Sequence, residues 1–140
     1  MNVTISEAAS LAIHALAYLA TRQETKPIST GKVAESFGFS EAHLSKVFQR
    51  LNKSGFLRSV RGPQGGFVLA KEPESITLLE IYEAIDGPIS RHEPCLLHKD
   101  ECEFGDCLFG DLLETIPQQI EAHLSNTTLG DIARRKKSES

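Results

Sequence analysis

The chain has 140 residues, 40% of them hydrophobic, and a formal charge of −4. That length can bury one core, so we expect one domain with an appendage rather than two independent domains. The first 23 residues have an apolar middle, but they lack a basic start and are interrupted by Glu7, Ser10 and His14. This composition argues against a signal peptide and a membrane span, and it predicts a cytoplasmic protein with no membrane partner.

The charge is unevenly distributed along the chain. From Lys26 to Lys71, eight Lys and Arg residues face two Glu residues, a net charge of +6. From Glu72 to Asp131, fourteen acidic residues face two basic ones, a net charge of −12. Because a local positive field can attract a polyanion even when the whole chain is acidic, the basic segment is a candidate for nucleic-acid contact.

Three helices are predicted in the first half of the chain. "ISEAASLAIHALAYLATR" is apolar on nearly every side, which predicts a buried first helix. "ISTGKVAESFGF" predicts a short second helix, with Ser29 or Thr30 as N-cap and Gly38 as its C-terminal stop. "SEAHLSKVFQRLNKSGF" predicts a third helix with Ser40 as N-cap. Its apolar residues recur at helical spacing and predict an inward stripe of Leu44, Val47, Phe48 and Leu51.

The opposite face of the third helix is polar and basic. Short donors lie near its start and long cations toward its end, which suits base edges and phosphates respectively. These residues are Ala42, His43, Ser45, Lys46, Gln49, Arg50 and Lys53. A solvated face of any amphipathic helix has a similar composition, so this helix alone does not decide for DNA.

A hairpin follows the third helix. Two β-prone runs, "FLRSV" and "FVLA", flank "RGPQGG", whose proline and glycines indicate a turn. Three helices followed by a hairpin are typical of a winged helix-turn-helix, so we predict a mainly α fold with a small β-hairpin wing. Arg61 and Gln64 fall at the wing tip, where an arginine can enter a narrow minor groove. The combination favours double-stranded DNA as a partner.

The segment "LSKVFQRLNKSGFLRSVRGPQGGFVLAKEPESITLLEIYEAIDGPI" resembles the winged-helix transcription regulators of the IscR, NsrR and CymR type. The resemblance extends from the first helix to "TTLGDIA" and favours the branch that binds iron-sulfur clusters. It implies a homodimer on a palindromic operator, most often acting as a repressor, and no enzymatic activity. By position it also implies that Arg61 is the arginine of the wing and that four residues of the third helix read bases, namely Ser40, Ala42, His43 and Ser45. Some relatives have a Ser or a Glu where this chain has Ala42 and Ser45.

With this resemblance, the chain divides into four parts. We expect a winged helix-turn-helix domain over 1–86, a cysteine loop over 87–107, a long dimerisation helix over 108–126, and a short helix with a basic tail over 127–140. Apolar residues of the third part step by four and give a stripe suited to a partner helix, with packing inside its own subunit as the alternative. The stripe is Leu108, Leu112, Ile116, Ile120 and Leu124.

All three cysteines lie in the loop, with the spacing C-x6-C-x4-C, whereas the best-known family members show x5 and x5. Cys95, Cys102 and Cys107 fall within thirteen residues. Three clustered thiolates repel one another unless a cation neutralises them, and soft sulfur ligands favour an iron-sulfur cluster, copper(I) or zinc. We expect a cluster, either [2Fe-2S] or [4Fe-4S].

A cluster needs a further ligand, and two places offer one. His98 gives C-x2-H-x3-C-x4-C, which would also satisfy tetrahedral zinc. The first helix carries a polar stripe of Glu7, Ser10, His14 and Tyr18. In some relatives, the first helix of the other subunit supplies a ligand to the cluster. It is a carboxylate at the position aligned with Ser10 or, in one type, a histidine at the position aligned with His14. We therefore regard His14, Glu7 and His98 as candidate ligands, with a packed histidine as the ordinary alternative for His14.

The hypothesis is a dimeric DNA-binding regulator whose operator binding is controlled by a cluster that senses redox state, nitric oxide or iron supply. One alternative is the same fold without iron, which would respond through zinc or thiol oxidation, such as a disulfide between Cys102 and Cys107. Another is an enzyme or electron carrier built on the cysteine loop. The sequence contains no nucleotide-binding loop, no G-x-S-x-G and no H-E-x-x-H, and it lacks the fourth cysteine usual in ferredoxin-like carriers.

Overall fold

A computed structural model describes residues 5–22, 26–89, 96–97 and 102–139, with side chains as far as residue 135. The described chain is mainly helical with one antiparallel hairpin, which confirms the predicted fold class. In chain order the elements are α1 (Glu7–Thr21), α2 (Thr30–Phe37), α3 (Glu41–Lys53), β1 (Leu57–Val60), β2 (Gly66–Leu69), a 3-10 turn (Pro73–Ser75), α4 (Leu78–Asp86), α5 (Leu112–Asn126) and α6 (Leu129–Glu139).

Helix α1 is the central element of the core. It starts after Ser6, whose Oγ accepts a hydrogen bond from the Ala9 backbone N–H at 3.0 Å. It packs against α3, α4 and α6, and Ala9, Ala12 and Leu16 are fully buried. The prediction of a first helix covered on most sides is confirmed.

Helices α2 and α3 form the helix-turn-helix. Ser29, rather than Thr30, caps α2 by accepting from the Lys32 N–H at 3.2 Å. Gly38 ends α2 in the left-handed region at φ 72°, a conformation that glycine adopts without strain. Ser40 then caps α3 by accepting from the His43 N–H at 3.3 Å. The predicted inward stripe is buried, and it consists of Leu44, Val47, Phe48 and Leu51.

The hairpin β1–β2, called the wing here, pairs Leu57 with Leu69 and Val60 with Gly66. A Cβ at Gly66 would lie 2.5 Å from the Ile28 backbone, so only glycine fits where β2 passes the segment before α2. Ile28 and Phe67 exchange two backbone hydrogen bonds of 3.1 and 2.9 Å across this contact. The Phe67 ring also packs edge-on against Phe48, at 5.0 Å between centroids, and this contact fixes the wing relative to α3.

The chain returns to the core through α6. Thr77 and Thr128 cap α4 and α6, and the segments around them are joined by an antiparallel bridge. Two backbone hydrogen bonds of 2.9 Å support it, from Leu78 N–H to Thr127 O and from Leu129 N–H to Ile76 O. Leu129 is fully buried, and α6 packs along α1. The part predicted as a short helix and basic tail is helical as far as Glu139.

Helix α5 begins at Leu112, four residues after the predicted start at Leu108. Turns precede it because Gly110 adopts φ 62° and donates its N–H to Cys107 O at 3.0 Å. The residues of α5 that are buried within the subunit are Leu113, Pro117 and Leu124. Only Leu124 of these belongs to the predicted stripe, whose other helical members, Leu112, Ile116 and Ile120, are exposed or half-buried. Among the described residues, no helix is long and apolar enough to span a membrane.

Candidate nucleic-acid interface and cysteine segment

The start of α3 presents small donors at the surface. Ala42 and Lys46 are exposed, whereas His43 and Ser45 are half-buried. Ser40 Oγ accepts the capping hydrogen bond, so its hydroxyl proton stays available for donation outward. The predicted base-reading residues therefore lie together in the first two turns of one helix.

Five cations on α2, α3 and the wing have no carboxylate partner in the described part of the chain. Their side chains belong to exposed residues, and they are Lys32, Lys46, Lys53, Arg58 and Arg61. Arg134, by contrast, pairs with Glu74 at 3.7 Å and with Asp131. Uncompensated cations on α2, α3 and the wing supply the positive charge that phosphate binding needs.

The tip of the wing is exposed from Arg61 to Gln64. Gly62 adopts φ 116°, and Gly65 donates its N–H to Gly62 O at 2.9 Å. A Cβ at Gly65 would lie 2.2 Å from Val60 O, so the tight turn requires glycine there. The contact of β2 with α3 places this tip at a fixed position relative to the predicted recognition helix.

Arg50 has a different environment from the other predicted DNA-contacting residues. Its guanidinium Nη2 donates to Ile85 O at 2.7 Å and lies 3.4 Å from Ala84 O, at the end of α4. The sequence pattern missed this contact because Arg50 occupies an outward position on α3 and its partners lie about 35 residues later.

Cys102 and Cys107 are exposed and are not linked by a disulfide. Each cysteine C=O accepts a hydrogen bond from the glycine three residues later, so both residues begin turns. Cys95 and His98 lie outside the described residues. Within those residues no three His, Cys, Asp or Glu side chains form a group able to hold a metal ion. Two accessible thiols fit a thiophilic metal or cluster as donors, but the donor set needs residues beyond them.

The side chains of the polar stripe of α1 differ in their exposure. Glu7 and His14 are exposed, and Ser10 is half-buried. The His14 Nδ1 lies 2.7 Å from Ser10 O. A carbonyl only accepts, so Nδ1 is the donor in this contact and Nε2 is the ring nitrogen that the contact does not engage. Tyr18, the fourth member of the stripe, is 6% exposed, and its hydroxyl accepts a hydrogen bond from Ser36.

Large apolar side chains around the cysteines are exposed. We call this set the apolar strip, and it consists of Leu97 at 78%, Phe104 at 70%, Leu108 at 72%, Phe109 at 50% and Leu112 at 46% exposure. Exposed apolar side chains this close together in the sequence are candidates for an interaction site. The sequence analysis included Leu108 and Leu112 in its helical stripe but overlooked the other residues of the apolar strip. The run "LFGDLL" already indicates apolar residues at this place in the chain.

Comparison with known proteins identifies transcription regulators that resemble this chain over most of its length. The family model of Rrf2, described as an iron-dependent transcriptional regulator, matches residues 5–135. An HTH-type transcriptional regulator of Aquifex aeolicus (strain VF5) is 36% identical over 130 residues, which cover 91% of this chain and 89% of the relative. The regulator IscR of Klebsiella pneumoniae (strain 342) is 32% identical over 126 residues, which cover 89% of this chain and 76% of IscR.

Solved structures show the same relationship. CymR, the global cysteine regulator of B. subtilis, has a TM-score of 0.80 at 29% identity and covers 95% of this chain and 98% of its own. IscR of T. potens has a TM-score of 0.76 at 26% identity and covers 100% of this chain and 93% of its own. Both the helix-turn-helix with its wing and the relatives identify a transcription regulator rather than an enzyme. The chain belongs to the Rrf2 family of DNA-binding transcription regulators.

Proposed function

We propose that this protein is a cytoplasmic, dimeric transcription regulator, most simply a repressor, whose operator binding is controlled by an iron-sulfur cluster held in the cysteine loop, residues 87–107. The observation that carries the proposal is the state of Cys102 and Cys107. Both thiols are exposed and free, in a segment that connects the DNA-binding body to α5. A ligand at this position can bias the arrangement of the two parts that it connects.

The DNA half of the proposal assigns direct readout to the start of α3. Ser40, His43 and Ser45 offer donors to base edges, and Ala42 offers a methyl group to thymine. Lys46 and Lys53 have no carboxylate partner among the described residues and suit phosphates. Arg61 and Gln64, at the exposed wing tip, suit the adjacent minor groove.

The dimer half rests on the apolar strip and α5. Leu112 is 46% exposed and Ile116 is half-buried, so one face of α5 remains available after the helix has packed on its own subunit. A second copy would cover this face and the strip together. A two-fold dimer presents two recognition helices about 34 Å apart, which matches half-sites of a palindromic operator one helical turn apart.

The cysteine loop would hold the cluster through the thiolates of Cys95, Cys102 and Cys107, as soft ligands suit iron-sulfur chemistry. When bound, such a cluster supplies a centre that responds to redox state, nitric oxide or iron supply. For the remaining ligand, His14 offers Nε2 because Ser10 O fixes the proton on Nδ1. Glu7 and His98 are the other candidates.

A second candidate function follows from the same two thiols. Cys102 and Cys107 are exposed and unlinked, and four residues lie between them in the sequence. Such a pair can form a disulfide or bind zinc. One structural neighbour is a global cysteine regulator, and another is the oxidized form of Staphylococcus aureus CymR. In this version, Cys102 and Cys107 sense thiol oxidation or zinc without iron.

The test is anaerobic purification followed by visible absorption and by iron, sulfide and zinc analysis. Wild type is compared with Cys102→Ala, and with Ser59→Ala in the exposed wing as a matched control. The proposal predicts broad absorbance near ~400 nm with matching iron and sulfide in wild type and the control, and loss of both in Cys102→Ala. A colourless wild type that reconstitution cannot darken would contradict it, and bound zinc would favour the second candidate.

A further inference from the structure

The last turn of α4 receives hydrogen bonds from two other helices. From α3, Arg50 Nη2 donates to Ile85 O at 2.7 Å and lies 3.4 Å from Ala84 O. From the N-cap of α1, Ser6 donates its backbone N–H to Asp86 Oδ2 at 3.0 Å and its hydroxyl to Asp86 Oδ1. Three consecutive residues of α4 therefore hold both the recognition helix and the first helix.

Elementary helix chemistry explains why an arginine is suited to this position. The last carbonyls of a helix lack partners within the helix and carry a partial negative charge. No basic residue occurs in the last turn of α4 itself. Arg50 supplies the missing cation from α3, through a hydrogen bond whose donor is charged.

The same turn is where the cysteine loop begins. Gly87 follows Asp86 directly, adopts φ 84° and donates its N–H to Glu83 O at 2.9 Å. Within α4, Ile81 and Ile85 are buried in the core, and the end of the helix is held by the hydrogen bonds from Arg50 and Ser6. A change in the cysteine loop therefore reaches the residues that Arg50 contacts before it reaches any other part of α4.

We infer that Arg50 is a positioning residue, which fixes the pose of α3 from the end of α4 and transmits the state of the cysteine loop to the recognition helix. It acts through backbone carbonyls of its own chain and contacts no phosphate. The transmission step rests on the proposed function, whereas the positioning step does not. Lys46, one turn earlier on α3, has no carboxylate partner in the described part of the chain and serves as the matched phosphate-contacting cation.

The test measures operator binding and non-specific duplex binding as a function of salt for wild type, Arg50→Ala and Lys46→Ala. Lys46→Ala should weaken both kinds of binding and reduce the salt slope by about 1, as loss of a phosphate contact does. Arg50→Ala should weaken operator binding by about tenfold and leave the salt slope and the non-specific affinity unchanged. A reduced slope with weaker non-specific binding in Arg50→Ala would overturn the inference.

Two further measurements separate the steps of the inference. Where Arg50→Ala does not fold, Arg50→Gln removes the same charge but keeps most of the aliphatic stem, and the same slope criterion applies to it. The transmission step predicts that the ratio of operator affinities between cluster-loaded and cluster-free protein moves toward 1 in Arg50→Ala. A ratio equal to that of wild type would overturn this step. A ratio of 1 already in wild type would reject the proposed control by a cluster, while the salt slopes would still decide the positioning step.

Discussion

The winged body, which comprises α1 to α4 and the wing, differs from the cysteine segment, Cys102 to Leu112, in how far its side chains are buried and hydrogen-bonded. In the body, Phe48, Leu16 and Ile81 are fully buried, and no buried side-chain polar atom of the described residues lacks a hydrogen-bond partner. From Cys102 to Leu112, every described residue is exposed, including both thiols and most of the apolar strip. The body therefore has a filled core, whereas the segment exposes thiols and apolar side chains of the kind found at interaction sites.

The largest expected effect tests the first half of this comparison. Phe48 is fully buried and packs on Phe67 of the wing, so Phe48→Ala should lower the free energy of unfolding by about 3–5 kcal/mol. Phe104 is 70% exposed, and Phe104→Ala should change it by less than about 0.5 kcal/mol at concentrations where the chain is monomeric. Chemical denaturation measures both. Equal losses would show that the segment belongs to the folded core.

A smaller effect is expected at the wing. Arg61→Ala should cost about 1–3 kcal/mol of operator binding if Arg61 reads bases or groove shape. Lys71→Ala is the control, because Lys71 lies beyond the other end of the hairpin, over the Phe56 ring. Fluorescence anisotropy with the operator duplex measures both variants. An affinity and a salt slope equal to those of wild type in Arg61→Ala would make the wing purely structural.

The smallest effect concerns the cap of α6. The hydrogen bond from the Thr128 backbone N–H lowers the pKa of the Asp131 carboxyl below its usual value, with further contributions from the Thr128 side chain and Arg134. A carboxyl whose pKa is lower in the folded state stabilises the fold above its unfolded pKa, and this contribution is lost as the pH falls through the folded pKa. Wild type should therefore be slightly more stable than Asp131→Asn at neutral pH, and the difference should shrink below about pH 4. Thermal unfolding at several pH values measures it, and a constant difference would contradict the assignment.

The parts of the fold that local patterns determine were predictable. Ser40 and Gly38 marked the ends of their helices because capping and positive φ are local requirements. The start of α5 was wrong by four residues because the turn at Gly110 interrupts a continuous apolar pattern. Helical periodicity placed Tyr18 on the polar stripe of α1, but it did not reveal that Ser36 and Phe37 of α2 cover this side chain.

For the candidate site, the sequence predicted the residue types better than their spatial arrangement. The residue types of α3 and the wing predicted a DNA-binding surface, but the contact of Arg50 with α4 depends on tertiary packing. The proposed ligand set of the cysteine segment includes residues outside the described part of the chain and, for Glu7 and His14, residues of a second copy. A single sequence cannot supply that geometry, so Cys95, His98, Glu7 and His14 remain predictions.

Operator affinity of cluster-loaded against cluster-free protein tests the central claim most directly. Anaerobically purified protein and protein stripped of metal are titrated against the same operator duplex at one salt concentration, with Cys102→Ala treated in parallel. The account predicts different affinities for the two forms of wild type and a single affinity for Cys102→Ala, since that variant has one state. Identical affinities for the two forms of wild type, with iron and sulfide verified in the loaded form, would contradict control of DNA binding by the cysteine segment.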